Sequence, residues 1–150
     1  MASEQAHISI ASHNVETASF LNQNEKWHDW TATTTFYAAL HVVDAVLAAD
    51  GPAGHGQSHD ERAAILKTTK RYEQIWRHYR PLFAASLVAR YLQARSGGPT
   101  YGSFSDYLTP TQVRDMLMKH HLVSSYSLQR NSFLQTQRKL FLEPKILSAD

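Results

Sequence analysis

The sequence predicts an all-α fold, an antiparallel bundle of four to five helices forming one domain over residues 1–150. Three observations point to it. Apolar residues recur at the three-to-four spacing of helices, and few segments alternate as strands do. Most of the helical stretches begin or end on a recognisable cap or stop signal. The 150 residues suit one hydrophobic core, and 43% hydrophobic against 19% charged residues is a globular rather than a disordered composition.

The first helix is expected over about residues 4–22. The second runs from Asn24 to Ala49, rich in Ala, Val and Leu, and stops at Asp50-Gly51-Pro52. Glycine just past a helix end takes the left-handed turn that satisfies orphan carbonyls, and proline cannot continue the helix. In GHGQSHDER, residues 54–62, Ser58 stands three residues before Glu61. This is the capping-box spacing, and Asp60 and Glu61 add negative charge where the helix dipole favours it. The stretch therefore reads first as a helix start. His55 and His59 have a spacing seen among metal ligands, but His55 falls in the loop and no third ligand accompanies them. No metal site and no cofactor is predicted. The helical signal continues from Asp60 through Gln93, and Pro81 inside it predicts a kink or break near Arg80, because proline offers no backbone N–H. RSGGPTYGS, residues 95–103, ends that segment. Thr109-Pro110-Thr111-Gln112 opens the last helix with a cap, a first-turn proline and a second capping box. That helix takes in VRDMLMKHHLV and is expected to run toward Phe141, with Pro144 beyond it. Residues 122–150, more polar and weakly periodic, are read as a C-terminal helical extension.

The chain has no cysteine. Disulfides, thiolate zinc sites and thiol catalysis are thereby excluded, and a reducing compartment is expected. MASEQAHISIASHNVE carries neither a basic region nor an apolar run, so no signal peptide is expected. The longest apolar candidate, residues 36–49, is interrupted by His41 and Asp44 and falls short of the roughly 20 residues that span a bilayer. A cytoplasmic protein without a membrane partner is the expectation.

Net charge is only +2, yet residues 67–80, KTTKRYEQIWRHYR, hold five basic residues against one acid, Glu73. Placed on a single helical wheel at about 100° per residue, Lys67, Lys70, Arg71, Gln74, Arg77 and His78 fall within an arc of roughly 120°. Tyr72, Ile75, Trp76, Tyr79, Leu82 and Phe83 fill the opposite side. The rings are thus expected in the core and the cations in water or on a partner. Lys67, Lys70, Arg71, Arg77 and His78 become candidate phosphate-binding residues, because cations along one face neutralise successive phosphates of a nucleic acid.

A second group sits on the second helix. Tyr37, His41 and Asp44 follow one another at helical spacing, beside the apolar face of Phe36, Leu40, Val43 and Leu47. This row is either a satisfied buried polar cluster or the wall of a ligand pocket.

DWTATTTFYAALHVVDAVLA (29–48), GHGQSHDER (54–62) and YRPLFAASLVARY (79–91) together resemble a bacterial branch of the HEPN family, over about residues 8–121. The likeness rests on an Asp-Trp entry, a Phe-Tyr-Ala-Ala-Leu-His helix, a Ser-His-x-Glu-Arg start and a Tyr-x-x-Leu…Ser…Ala-Arg-Tyr helix. It implies a HEPN-like up-and-down bundle of four to five helices, usually a homodimer, associated with RNA or nucleotides, with non-catalytic interaction modules among its members. It also implies that His59 and Arg62, at the start of one helix, approach the Tyr37–His41–Asp44 row. Catalytic members of the family pair an arginine, often followed by a polar residue, with a histidine four to six positions on, and two subunits join such pairs to cleave RNA without metal. RDMLMKHH, residues 114–121, has this form, with Arg114, Asp115 and either His120 or His121. The chemistry fits: a histidine moves the proton at the 2′-hydroxyl and the leaving oxygen, and an arginine holds the phosphate as its charge grows. On a wheel His121 shares the face of Arg114, whereas His120 lies on the stripe of Val113, Met116 and Leu117. The tyrosine that nucleotidyltransferases modify in such proteins would lie two residues past the histidine. Leu122 or Val123 stands there instead, so that regulation is not expected.

Overall fold

The computed structural model describes residues 2–50, 56–117 and 119. Among them the architecture is all-α: α1 (Glu4–Leu21), α2 (His28–Asp50), α3 (His59–Thr68), α4 (Glu73–Tyr91) and α5 (110–117), joined in part by short 3₁₀ turns at Glu25–Trp27, Lys70–Tyr72 and Phe104–Asp106. His55, His120, His121 and the extension over 122–150 lie outside the described residues.

The helix starts follow their caps. Ser3 Oγ accepts from the Ala6 amide at 3.2 Å to open α1. Ser58 Oγ accepts from the Glu61 amide at 3.2 Å to open α3, while the Glu61 carboxylate reaches one residue further back than a capping box requires, to the Gln57 amide at 2.7 Å. At α5 the box closes fully: Gln112 N–H donates to Thr109 Oγ1 at 3.2 Å and Thr109 N–H to Gln112 Oε1 at 2.9 Å.

α2 is the central element, packed most extensively on α1 and next on α4. Phe36, Val42 and Val46 of α2, Leu66 of α3, Tyr79, Leu82 and Val88 of α4, and Val113 and Leu117 of α5 are all essentially inaccessible to water. Each such side chain contributes on the order of 1.5–3 kcal/mol by leaving water. Small residues, Ala11 and Ala18 on α1 and Ala32 on α2, are fully buried between these two helices and allow close approach. While the buried Thr35 Oγ1 has no hydrogen-bond partner among the described residues, three other hydroxyls of the apolar α2 bond one turn back along the chain: Thr31, Thr33 and Thr34 donate to the Trp27, Asp29 and Trp30 carbonyls at 3.0, 3.0 and 2.8 Å. This satisfies them without a partner from another helix.

Two expectations need correction. The helix read as continuous from Asp60 to Gln93 breaks at Thr69, which is extended (φ −97°, ψ 110°), and not at Pro81. Pro81 lies inside the unbroken α4. The stop comes where two β-branched residues, Thr68 and Thr69, meet, and the Thr68 hydroxyl bonds back to the Ala64 carbonyl at 2.7 Å. The apolar stretch around α2 is also longer than the 36–49 expected. Within residues 25–49 an 18-residue window reaches a mean hydropathy of 1.3, enough by length and composition to cross a membrane. However, 72% of that window is buried in the bundle, which accounts for its apolarity.

Candidate functional site

The polar row on α2 is divided among three neighbours. Asp44 meets α3, with Arg62 Nε donating to Oδ1 at 2.6 Å and Nη2 to Oδ2 at 2.8 Å. Both residues are buried, 2% and 6% exposed, so this is a fork-on-fork pair in a low-dielectric interior. Two further guanidinium protons go to the Ser58 and Gly56 carbonyls, each at 3.3 Å. Burial works against the charge on Arg62, but the hydrogen bonds and charge of Asp44 prevail and hold it more firmly protonated than an ordinary arginine. Gly56 is required by proximity: a Cβ there would come within 2.6 Å of the Arg62 backbone nitrogen.

Tyr37 meets α4. Arg90 Nη1 donates to the Tyr37 hydroxyl at 3.1 Å and its guanidinium lies 5.5 Å over the Tyr37 ring. Arg90 is in turn held by the Ser86 carbonyl at 3.1 Å. His41 meets α1, its Nδ1 3.0 Å from His7 Nδ1, with ring centroids 5.3 Å apart. Tyr79, 2% exposed, carries its hydroxyl against Arg62, and burial raises its pKa far above the usual tyrosine value.

His59, the first residue of α3, stacks on Phe83 at 5.4 Å and lies 5.8 Å from Phe36 and 6.4 Å from Tyr37. Burial, with the Arg62 and Arg90 charges, lowers its pKa against the opposing pull of Asp60 and Asp44, so the ring is neutral at pH 7. Its Nδ1 is buried and has no hydrogen-bond partner among the described residues. Next to it opens a cleft of about 740 Å³ between the α3 start and the end of α4, lined by Ser58, His59, Phe83, Leu87, Tyr91 and Arg95 among others.

His59 and Arg62 therefore do come to the α2 row, but the row is not a single pocket. His7, Arg90 and Ser86 take part without having been singled out in the sequence, and Tyr79, expected only as a core ring, joins them. Arg90 and Ser86 were visible there only as elements of a motif. His7 gave no local signal, because its partner is 34 positions away.

On the outside, Lys67, Lys70, Arg71 and Arg77 are exposed, spread over the end of α3, the 3₁₀ turn and the start of α4. Tyr72 and Tyr79 are buried and Trp76 is half-buried, as the wheel requires. Arg77 lies 3.7 Å from Glu73 with both side chains more than 60% exposed, a solvated contact of little strength. The Arg71 guanidinium lies 5.3 Å over the Tyr72 ring. His78 is a correction: it is 7% exposed and does not belong to the cationic surface. Arg114 and Asp115 on α5 are exposed, while their expected histidine partners fall outside the described residues.

Compared with family models, with curated proteins and with solved structures, the chain matches none.

Proposed function

We propose that this chain is a cytoplasmic HEPN-like bundle that acts as a homodimer and binds RNA or a nucleotide through Lys67, Lys70, Arg71 and Arg77. One observation carries the reading: these four cations are exposed on successive elements while Tyr72, Ile75 and Tyr79 from the same stretch are buried. The exposed side chains form an electrostatic surface suited to a phosphate backbone, with no ring offered for base stacking apart from the half-buried Trp76. Within this reading the exposed Arg114 is a phosphate clamp for metal-independent RNA cleavage, with His120 or His121 as the proton-transferring group.

A non-catalytic assembly module is the second reading, favoured by the exposed rings of Trp30 (53%) and Tyr91 (65%). Purified protein incubated with mixed RNA in excess chelator separates the two. Cleavage lost in both Arg114→Ala and in His120→Ala or His121→Ala establishes the enzyme. Binding without cleavage, with an affinity that falls steeply with salt, leaves an RNA-binding module. Two fewer phosphate contacts in Lys70→Ala/Arg77→Ala then reduce the slope of log K against log salt by about 1.4 for single-stranded RNA. No affinity for RNA at low salt removes the reading and leaves assembly.

A further inference from the structure

We propose that His7, His41 and Asp44 form a binding site for a divalent transition-metal ion that ties α1 to α2. The three side chains each present one ligand atom, and these atoms all lie within 4.8 Å of one another. Two come from one helix face, His41 and Asp44 being three residues apart on α2, and the third comes across the interface from the first turns of α1.

The spacing serves a hydrogen bond as it stands and lies close to what an ion needs. His7 and His41 face each other Nδ1 to Nδ1 at 3.0 Å. Two nitrogens bound at about 2.05 Å to one tetrahedral ion sit roughly 3.3 Å apart, so the rings need to part by only a few tenths of an ångström. His7 is 4% exposed and Asp44 2%, and the pair sits on the most extensive helix–helix interface of the bundle, where backbones are held firmly. Two imidazoles and one carboxylate form a nitrogen-and-oxygen set of borderline softness, which selects Zn²⁺, Co²⁺, Ni²⁺ or Cu²⁺ over Mg²⁺ or Ca²⁺. The same set leaves one tetrahedral position for water.

Arg62 already holds both Asp44 oxygens, at 2.6 and 2.8 Å. This does not close the carboxylate, because each oxygen has a second lone-pair direction. Arg62 is then the outer partner that fixes the carboxylate's orientation, as hydrogen-bonded carboxylates are fixed in other metal sites. Its positive charge also lowers the affinity of the site for a cation, so the site is a modest binder rather than a permanent one.

The probe is Co²⁺, whose visible absorption reports tetrahedral nitrogen ligation, titrated into metal-free full-length protein. One equivalent of Co²⁺ is expected to give that absorption, Zn²⁺ to displace it, and Zn²⁺ at a hundredfold excess over its dissociation constant to raise the thermal midpoint by roughly 8 °C. His7→Gln and His41→Gln retain a polar side chain, and helical circular dichroism verifies that they fold. Both lose the absorption and the thermal shift, whereas the exposed His13→Gln keeps them. Absence of the absorption in the wild type overturns the proposal. Equal absorption in folded His7→Gln does so too, since the ion would then be held by other histidines. RNA binding through the cationic surface is unaffected by either outcome.

Discussion

At the scale of single residues, Asp44 and Arg62 show how much depends on pairing. Each is buried, and removing one leaves an uncompensated charge inside the bundle. In chelator, so that no metal contributes, Asp44→Leu or Arg62→Met is expected to lower unfolding stability by about 3–5 kcal/mol in urea. The double variant Asp44→Leu/Arg62→Met returns close to wild type, because two apolar side chains replace the pair. Two single losses that simply add would show no coupling between the two side chains and would overturn this reading. His78 provides the pH dependence. Burial lowers its pKa below 6.5, helped by the Arg77 and Lys119 charges. The unfolded chain therefore binds a proton that the native state refuses. The stabilisation is whole above pH 6.5 and declines as pH falls from there toward the folded value. Urea midpoints measured from pH 7.5 to 5 are expected to fall less for His78→Leu than for wild type. Parallel curves would contradict this. The sequence pattern did hold the burial of His78: it stands at i with Leu82 at i+4 and Ala85 at i+7, both buried. The wheel missed it because it carried one helical phase across Thr69, where the chain is extended.

At the scale of elements, helix starts were legible because they are local chemistry. Ser58 and Thr109 cap as their spacing with Glu61 and Gln112 predicts. The break between α3 and α4 was misplaced because Pro81 outweighs any other residue as a sequence signal. Inside α4 it costs one backbone hydrogen bond, offset by the burial of Tyr79, Leu82 and Ala85 around it. The end of α4 leads to a third prediction. Leu92 caps it in the left-handed region, φ 56° and ψ 22°, which costs a branched, non-glycine residue about 1–2 kcal/mol. Its side chain is 37% exposed, so its packing is only partial and the backbone strain is expected to outweigh it. After allowing for the greater freedom of glycine in the unfolded chain, Leu92→Gly is expected to stabilise the protein by about 0.5–1 kcal/mol. A thermal midpoint that falls instead would mean that Leu92 packing exceeds its backbone strain. What no element could announce is which faces meet. His7 becomes a partner of His41 only once α1 lies against α2.

At the scale of the molecule, the basic surface and the exposed rings are distinct features, and each suggests a different kind of contact. Trp30 shares a shallow pocket with Arg90, and the Arg90 guanidinium lies 5.0 Å over the ring of Tyr91. Both rings are more than half exposed. Large aromatics beside an arginine are the residue types that anchor protein interfaces, and a stable dimer must cover about 800 Å² on each partner. If the proposed homodimer forms through this end of the bundle, a buried carboxylate in place of either ring would oppose it. Sedimentation at tens of micromolar should then give a dimer for wild type and a monomer for Trp30→Glu and Tyr91→Glu, with helical content unchanged in all three. The exposed Phe20, 71% accessible, is the control: Phe20→Glu on α1 should remain dimeric if Trp30 and Tyr91 are the anchors. A wild-type monomer would remove the composite two-subunit cleavage site built on Arg114, while leaving the cationic surface free to bind RNA in a single chain. A dimer that survives both ring substitutions would move the interface to another face of the bundle.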